Sequence, residues 1–486
     1  MLVAGGLVFA AVLAAYATTR LNIPILIGFL GLGMLLGSDG PGGIAFSDAH
    51  LARVVGVLCL AAILFEGGLT TDRRHVREVA LPALSLGTLG VLITAGVCAL
   101  AARSIFGLST SSALLLGAVV GSTDAAAVFT TLRRVGLPDR LSALLEAESG
   151  VNDPMAVALT LGFISVIQNP DYGAADFTLL LIRQFGIGAA VGLAAGALAR
   201  ALFARMPPEL ATFAPVLALA CGAVGFGIAG VAGGSGFLAV YLVGLALFDM
   251  PAGLRRPVAS FNAGVAFLAQ IVLFVVLGLL EFPHQLAGVV VSGLGLAAVL
   301  TLIARPLAVA VSTAFMGFTG RERVFLGWAG LRGGVPIVLA TFPLSEGLHE
   351  STTIFNTVFF VVLVSVLVQG MTLGRLATAL GIATPPDPVE SPPIAPEVIE
   401  PLGAQVLTHV VGPGDAVDGR SLRDLELPTG VTVSLVIRGD EAVPPDGGTR
   451  LRAGDRVYLL TRSEGADALR RVLGSWSAAS ASVDER

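Results

Sequence analysis

The sequence predicts an all-α polytopic membrane protein with broken crossing helices, followed by a small cytoplasmic α+β domain. Three observations predict it. Apolar residues make up 55% of the 486 residues and charged residues only 13%, against about 25% charged in an ordinary soluble domain. Runs long enough to cross a bilayer recur through the first 380 residues. A Pro-rich stretch then gives way to short segments with strand and turn signals. This composition excludes a disordered chain, a basic nucleic-acid binder and an ordinary cytosolic enzyme. The formal net charge is −5, every cation is Arg, and 61 Gly in so apolar a chain point to closely packed membrane helices.

In order, the apolar runs are roughly 2–18, 23–37, 51–70, 79–102, 111–131, 142–167, 177–199, 210–230, 235–249, 257–280, 286–315, 324–344 and 353–379, thirteen in all. The first lacks a basic leader and an A-x-A exit, so it reads as a span rather than a cleaved signal. Orientation follows from the arginines. With the N-terminus outside, thirteen fall in inner connections: Arg20, Arg73, Arg74, Arg77, Arg133, Arg134, Arg140, Arg200, Arg205, Arg255, Arg256, Arg321 and Arg323. Only Arg53, Arg103 and Arg183 lie near the outer side. An odd number of spans then leaves the C-terminal domain in the cytoplasm of a bacterial cell (inner) membrane protein.

The second and ninth runs are both short and Gly-rich, and the fifth and twelfth both carry polar interruptions. Each pair is seven spans apart and so runs in opposite directions, the pattern of an inverted-repeat transporter. Residues 1–380 form the predicted membrane domain and 381–401 a stiff Pro-rich linker. Residues 402–475 form a soluble module with strands at Val406–Val411, Val431–Arg438 and Arg456–Thr461 and a closing helix at Glu464–Leu473, and 476–486 a flexible tail. Cys59, Cys98 and Cys221 sit in apolar runs without metal spacing and read as inert fillers. The five histidines, His50, His75, His284, His349 and His409, lie in or beside loops or in the tail and read as surface groups.

Charge at mid-membrane is costly, on the order of 3 kcal/mol on insertion scales, and marks function. Five such residues stand out: Glu66, Asp124, Glu148, Asp153 and Arg332. Asp124 lies in G-S-T-D-A-A-A, where Ser122 and Thr123 offer hydroxyls and, if the helix loosens, carbonyls. Asp153 lies in E-S-G-V-N-D-P, where Gly150 and Pro154 weaken the helix. Ser149 shares its face, one turn earlier. Arg332, in L-R-G-G-V-P, needs a buried carboxylate; Glu148 is the expected partner in a structural ion pair. Glu66 ends the third span and Glu146 reads as solvated near a helix end. Two carboxylates in one poorly hydrated site favour one positive guest, a proton or a monovalent cation. Their hard oxygens suit alkali ions. Asn152 cannot titrate, so a single exchanging carboxylate predicts one proton per cation and an electroneutral cycle.

At these motifs the sequence resembles bacterial NhaP-type cation–proton antiporters. The carriers are I-L-F-E-G-G-L at 63–69, G-S-T-D-A-A-A at 121–127, E-S-G-V-N-D-P at 148–154 and L-R-G-G-V-P at 331–336. The resemblance implies thirteen helices, crossed and partly unwound fifth and twelfth helices, and a homodimer in membrane lipid. It implies Asp153 as the ion- and proton-binding residue, with Asp124, Ser149, Thr123 and Glu66 around the cation and a Glu148–Arg332 pair. The Asn152–Asp153 sequence goes with electroneutral exchange in that family. Gly419–Leu427, Ile437-Arg-Gly439 and Leu451-Arg-Ala-Gly-Asp455 resemble the TrkA C-terminal domain, the C-terminal lobe of domains that regulate potassium conductance. That likeness favours K⁺ over Na⁺ and implies control by a small ligand or nucleotide, such as a cyclic dinucleotide, with no cofactor beyond the transported ions. Two other readings are weaker. A channel with a ligand-gated tail would want a carbonyl filter of the T-V-G-Y-G kind, and an intramembrane aspartyl protease its G-x-G-D signature; the chain has neither.

Overall fold

The computed structural model describes residues 2–20, 24–132, 136–384, 404–439, 441–462 and 465–481. Arg133, Arg134, the linker from 385 onward, Glu464 and residues 482–486 lie outside the described residues. Among the described residues, eight helices are long and apolar enough to cross a membrane and five shorter apolar helices accompany them. The described part of each apolar run read from the sequence is mainly helix, the fifth and twelfth with a break inside them.

Residues 1–386 fall in one compact unit, within which mutual packing groups the described helices into two bundles. In one, α1 (Leu2–Arg20), α2 (Ile25–Leu36), α3 (Ala49–Thr70), α8 (Ala174–Ala204), α9 (Ala214–Val231), α10 (Gly236–Leu247) and α11 (Ala252–Leu280) pack on each other. Small residues permit the contact: a Cβ on Gly68 would fall 2.3 Å from the Tyr241 carbonyl oxygen, and one on Gly244 would fall 2.4 Å from that of Phe65. So close an approach lets α3 and α10 pack backbone to backbone without large side chains.

The other bundle holds α4 (Arg73–Phe106), α5 (Thr110–Val119), α6 (Ala125–Thr131), α7 (Asp139–Gln168), α12 (Pro283–Ser312), α13 (Gly320–Trp328), α14 (Gly334–Ser345) and α15 (Ser351–Ala379). Here the fifth and twelfth apolar runs are each interrupted, α5 from α6 at 120–124 and α13 from α14 at 329–333. Gly weakens both breaks, Gly121 in the first and Gly330 and Gly333 in the second; in the first, Ser122, Thr123 and Asp124 also bond the backbone in competition with the helix. The short α2 and α10 stand in the same seven-run relation.

Ion pairs tie connections at each end. Arg53 meets Glu346 at 2.8 Å, and His284 meets Asp39, at one end. Arg73 meets Asp249 at 2.7 Å, and Arg140 donates to the Met316 carbonyl at 3.0 Å, at the other. This is the alternation expected of antiparallel spans.

The second unit, residues 387–486, carries a four-stranded antiparallel sheet in the order β1-β4-β2-β3. Its strands are β1 (Ala404–Val410), β2 (Thr432–Arg438), β3 (Glu441–Val443) and β4 (Arg456–Arg462). The sequence reading missed the three-residue β3. The closing helix α16 (Ala466–Ala481) is longer than expected. Leu469, Leu473 and Trp476 pack on Val411, Val436 and Leu459, so residue 476 belongs to the domain core rather than to a flexible tail. His409 is buried too, 3.0 Å from Asp415 and edge-on to Trp476, not on the surface. Arg438 grips Asp455 with bonds of 2.8 and 2.7 Å, closing the turn before β4. Burial alone would raise the Asp455 carboxyl, but the guanidinium and the Arg452 amide outweigh it and hold the group below the usual carboxylate range.

Candidate cation and proton site

The two helix breaks lie against each other. The Asp124 amide donates to the Leu331 carbonyl at 2.9 Å. The Arg332 guanidinium donates to the Gly121 and Ser122 carbonyls at 2.7 and 2.5 Å. Those carbonyls follow the C-terminus of α5, so a cation satisfies both their hydrogen bonding and the negative end of the helix. Asp124 sits at the opposite pole as the N-cap of α6, accepting the Ala127 amide. Gly333 explains how Asp124 fits: a Cβ there would lie 1.6 Å from Asp124 Oδ2. Helix α15 braces the second break, because Ser365 accepts the Arg332 amide at 3.0 Å and Gln369 donates to the Trp328 carbonyl at 2.9 Å.

Helix α7 supplies the remaining side chains. Ser122 donates to Asp153 Oδ1 at 2.6 Å. Ser149 donates to the Thr123 carbonyl at 3.3 Å. The Asn152 amide donates to the Thr123 hydroxyl. A cavity of about 520 Å³ between the bundles is lined by Glu66, Asp124, Glu146, Ser149, Asp153 and Tyr241, among others. It runs from Thr70 and Thr71 at one end of α3 inward to Asp153. Asp153 is only 2% exposed yet lines it. A second cavity, about 440 Å³, lies toward Arg53 and shares no lining residue with the first.

Five of the expected residues therefore come together, with qualifications. Asp153, Asp124, Ser149 and Glu66 line the cavity. Thr123 stands behind it, its carbonyl held by Ser149 and its hydroxyl by Asn152. Asn152 is fully buried against the break and does not line the cavity; it braces Thr123 rather than facing a guest.

One expectation is overturned. Glu148 pairs with Arg305 of α12, not with Arg332, through bonds of 2.5 and 2.9 Å. The cause is position: Arg332 is committed to the carbonyls of the first break, and Arg305 faces the side of α7 that points away from the cavity. Ser122, named from the sequence only as a hydroxyl beside Asp124, turns out to be the donor to Asp153, and Arg305 was not singled out from the sequence. Arg305 had a signal, being a charge inside an apolar run. Among the described residues, no three His, Cys, Asp or Glu side chains gather to hold a metal.

The sodium/hydrogen exchanger transmembrane family matches residues 7–379, and the TrkA-C domain matches residues 406–474. The chain belongs to the sodium/hydrogen exchanger family. It is 40% identical to the K(+)/H(+) antiporter NhaP2 of Shewanella baltica (strain OS223), over 94% of this chain and 80% of that one. It is 37% identical to the K(+)/H(+) antiporter NhaP of Alkalimonas amylolytica, over 98% and 83%. In fold this exchanger resembles the sodium proton antiporter MjNhaP1 of Methanocaldococcus jannaschii, with TM-score 0.67, 24% identity, and coverage of 77% of this chain and 98% of that one. The exchanger's curated relatives are thus transporters.

Proposed function

We propose that the protein exchanges a monovalent cation, K⁺ in preference to Na⁺, for a proton at Asp153. The observation that carries this reading is a cavity that reaches two carboxylates, Asp153, which accepts from the Ser122 hydroxyl, and Asp124, which accepts from the Ala127 amide. The site's fixed charges are accounted for elsewhere: Arg332 on carbonyls, Arg305 on Glu148. Either a proton or a cation then balances the Asp153–Asp124 pair, and the two guests exclude one another. Ser149 is the adaptable ligand. When it releases the Thr123 carbonyl, its own oxygen and that carbonyl both become available to an ion, with Glu66 on the approach.

Alternating access follows from the location. Glu66 and Tyr241 come from one bundle and Asp124, Ser149 and Asp153 from the other, so sliding one bundle past the other changes which end the cavity meets. With the N-terminus outside and the C-terminal domain cytoplasmic, as the arginine distribution suggests, the cavity faces the cytoplasm. The potassium preference draws on the K(+)/H(+) antiporter relatives. One exchanging carboxylate makes the cycle electroneutral. A homodimer, a membrane domain ending near residue 380, and a TrkA-C domain that senses a small ligand or nucleotide complete the proposal.

Proton flux in proteoliposomes, driven in turn by K⁺, Na⁺ and Li⁺, tests it. The expected result is cation-dependent flux, largest with K⁺, whose rate ignores an imposed membrane voltage. Flux without a cation requirement, or a rate that follows voltage steeply, overturns the proposal.

A further inference from the structure

The second cavity has no part in the exchange site described above, yet it continues the first along the same helices. On α7, Asp153 lines the first cavity and Val157, one turn on, lines the second. On α10, Tyr241 lines the first and Phe237, one turn away, the second. On α3, Leu60 lines the first and Val57 the second. The two cavities therefore stand end to end. What parts them is an apolar partition roughly one helical turn thick, about 5.4 Å, in which Leu60, Val157 and Phe237 are buried.

The independent observation is Arg53, which lines the second cavity with Phe342. It leaves α3, in one bundle, and reaches the end of α14, in the other. Its guanidinium donates to Ser345 Oγ at 3.1 Å and to Glu346 Oε1 at 2.8 Å, and it lies 4.2 Å from the centre of the Phe342 ring. Glu346 is itself bonded by the Gln168 side chain at the end of α7, with His50 the other ionisable neighbour. One turn inward the same seam is apolar: a Cβ on Gly56 would fall 3.0 Å from both methyl groups of Val338. Apolar contact inside a bilayer gives two helices little preference for each other over acyl chains. The directional bonds of Arg53 are therefore the contacts that specify closure at this end.

We infer that Arg53 is a latch: by tying α3 to the end of α14 it holds the partition shut and so sets how seldom Asp153 opens toward the second cavity. That cavity is then the outer vestibule of the ion path. The inference rests on the proposed exchange at Asp153 and adds the group that biases its two facings. The latch contacts belong to the arrangement in which Asp153 meets the cytoplasmic cavity, and sliding one bundle past the other breaks them. Losing them removes stabilisation from that arrangement alone, so the outward-facing population grows. An ion arriving from outside then meets a larger competent fraction, and its half-maximal concentration falls in proportion. The inward-facing population stays the majority, so the half-maximal concentration at the cytoplasmic face hardly moves.

The test is proton flux against KCl concentration in right-side-out and in everted membrane vesicles, for wild type, Arg53→Gln, Glu346→Ala and the swap of Arg53→Glu with Glu346→Arg. Arg53→Gln should lower the half-maximal K⁺ concentration at the outer face about fivefold, the scale of an exposed ion pair joined by a cation–π contact. Glu346→Ala should lower it by a smaller factor, because the Phe342 and Ser345 contacts survive. Both variants should leave the value at the cytoplasmic face near wild type. The swap should bring the outer value back toward wild type. A merely structural role would instead reduce the maximal rate or move both faces alike. An outer value unchanged in both single variants, or an equal shift at the two faces, overturns the latch. Wild type lacking cation-dependent flux would instead overturn the exchange reading itself.

Discussion

The Glu148–Arg305 pair permits a quantitative test of how α7 is anchored to α12. Their side chains are 1% and 4% exposed, and the guanidinium meets both carboxylate oxygens. Glu148→Leu strands a buried guanidinium, and Arg305→Met strands a buried carboxylate. Removing one partner of such a pair costs about 3–5 kcal/mol, whereas an apolar replacement of both is close to neutral. On a scale of roughly 2–4 °C per kcal/mol, each single variant should lose about 6 °C or more of melting temperature. The double variant should recover most of that loss. The assay is thermal unfolding of the purified protein in detergent, arranged as a double-mutant cycle. A second cycle pairs Glu148→Leu with Arg332→Met. Arg332 is bonded to the Gly121 and Ser122 carbonyls, so its removal should deepen the loss rather than relieve it. Rescue by Arg332→Met but not by Arg305→Met would refute the pairing and restore the arrangement expected from sequence.

Three other outcomes follow from the geometry. Gly333→Ala places a Cβ within 1.6 Å of Asp124 Oδ2, so it should abolish exchange in vesicles while circular dichroism shows full helical content. Ser365→Ala strands the buried Arg332 amide and should lower stability by about 1–3 kcal/mol, read as a lower melting temperature. In the C-terminal domain, Asp455 gains stability from Arg438 only while ionised. That contribution is full above the ordinary carboxylate pKa of about 3.9 and fades as pH falls through it toward the lower folded value. Limited proteolysis of the full chain should therefore cut the domain faster in acid, and Asp455→Asn should be cut faster than wild type even at neutral pH.

What the sequence made legible was local. Polar or charged residues with Gly in an apolar run located both breaks, whereas Gly150 and Pro154 beside Asp153 left α7 unbroken; Ser149 one turn from Asp153 located its face. Partner choice was not local. Arg305 lies 157 residues from Glu148, and only the packed rotation of α7 and α12 brings them together. Asn152 looked like a cavity residue because it adjoins Asp153, but consecutive helix positions point about 100° apart. Glu146 shows the opposite case. Its seven-residue spacing from Asp153 was visible, but the cavity that gives the spacing meaning needs α3 and α10. In the C-terminal domain, apolar Trp476 marked a helix that continues past residue 475, a pattern hidden by the surrounding Ser and Ala.

The central claim is that one carboxylate, Asp153, holds a proton or a cation and never both. The direct measurement is proton release from purified protein in weakly buffered detergent solution on adding KCl, followed with a pH indicator dye. Wild type should release a proton for each cation bound, and Asp153→Asn should release none. Cation binding without proton release in wild type, or undiminished release from Asp153→Asn, would contradict the account.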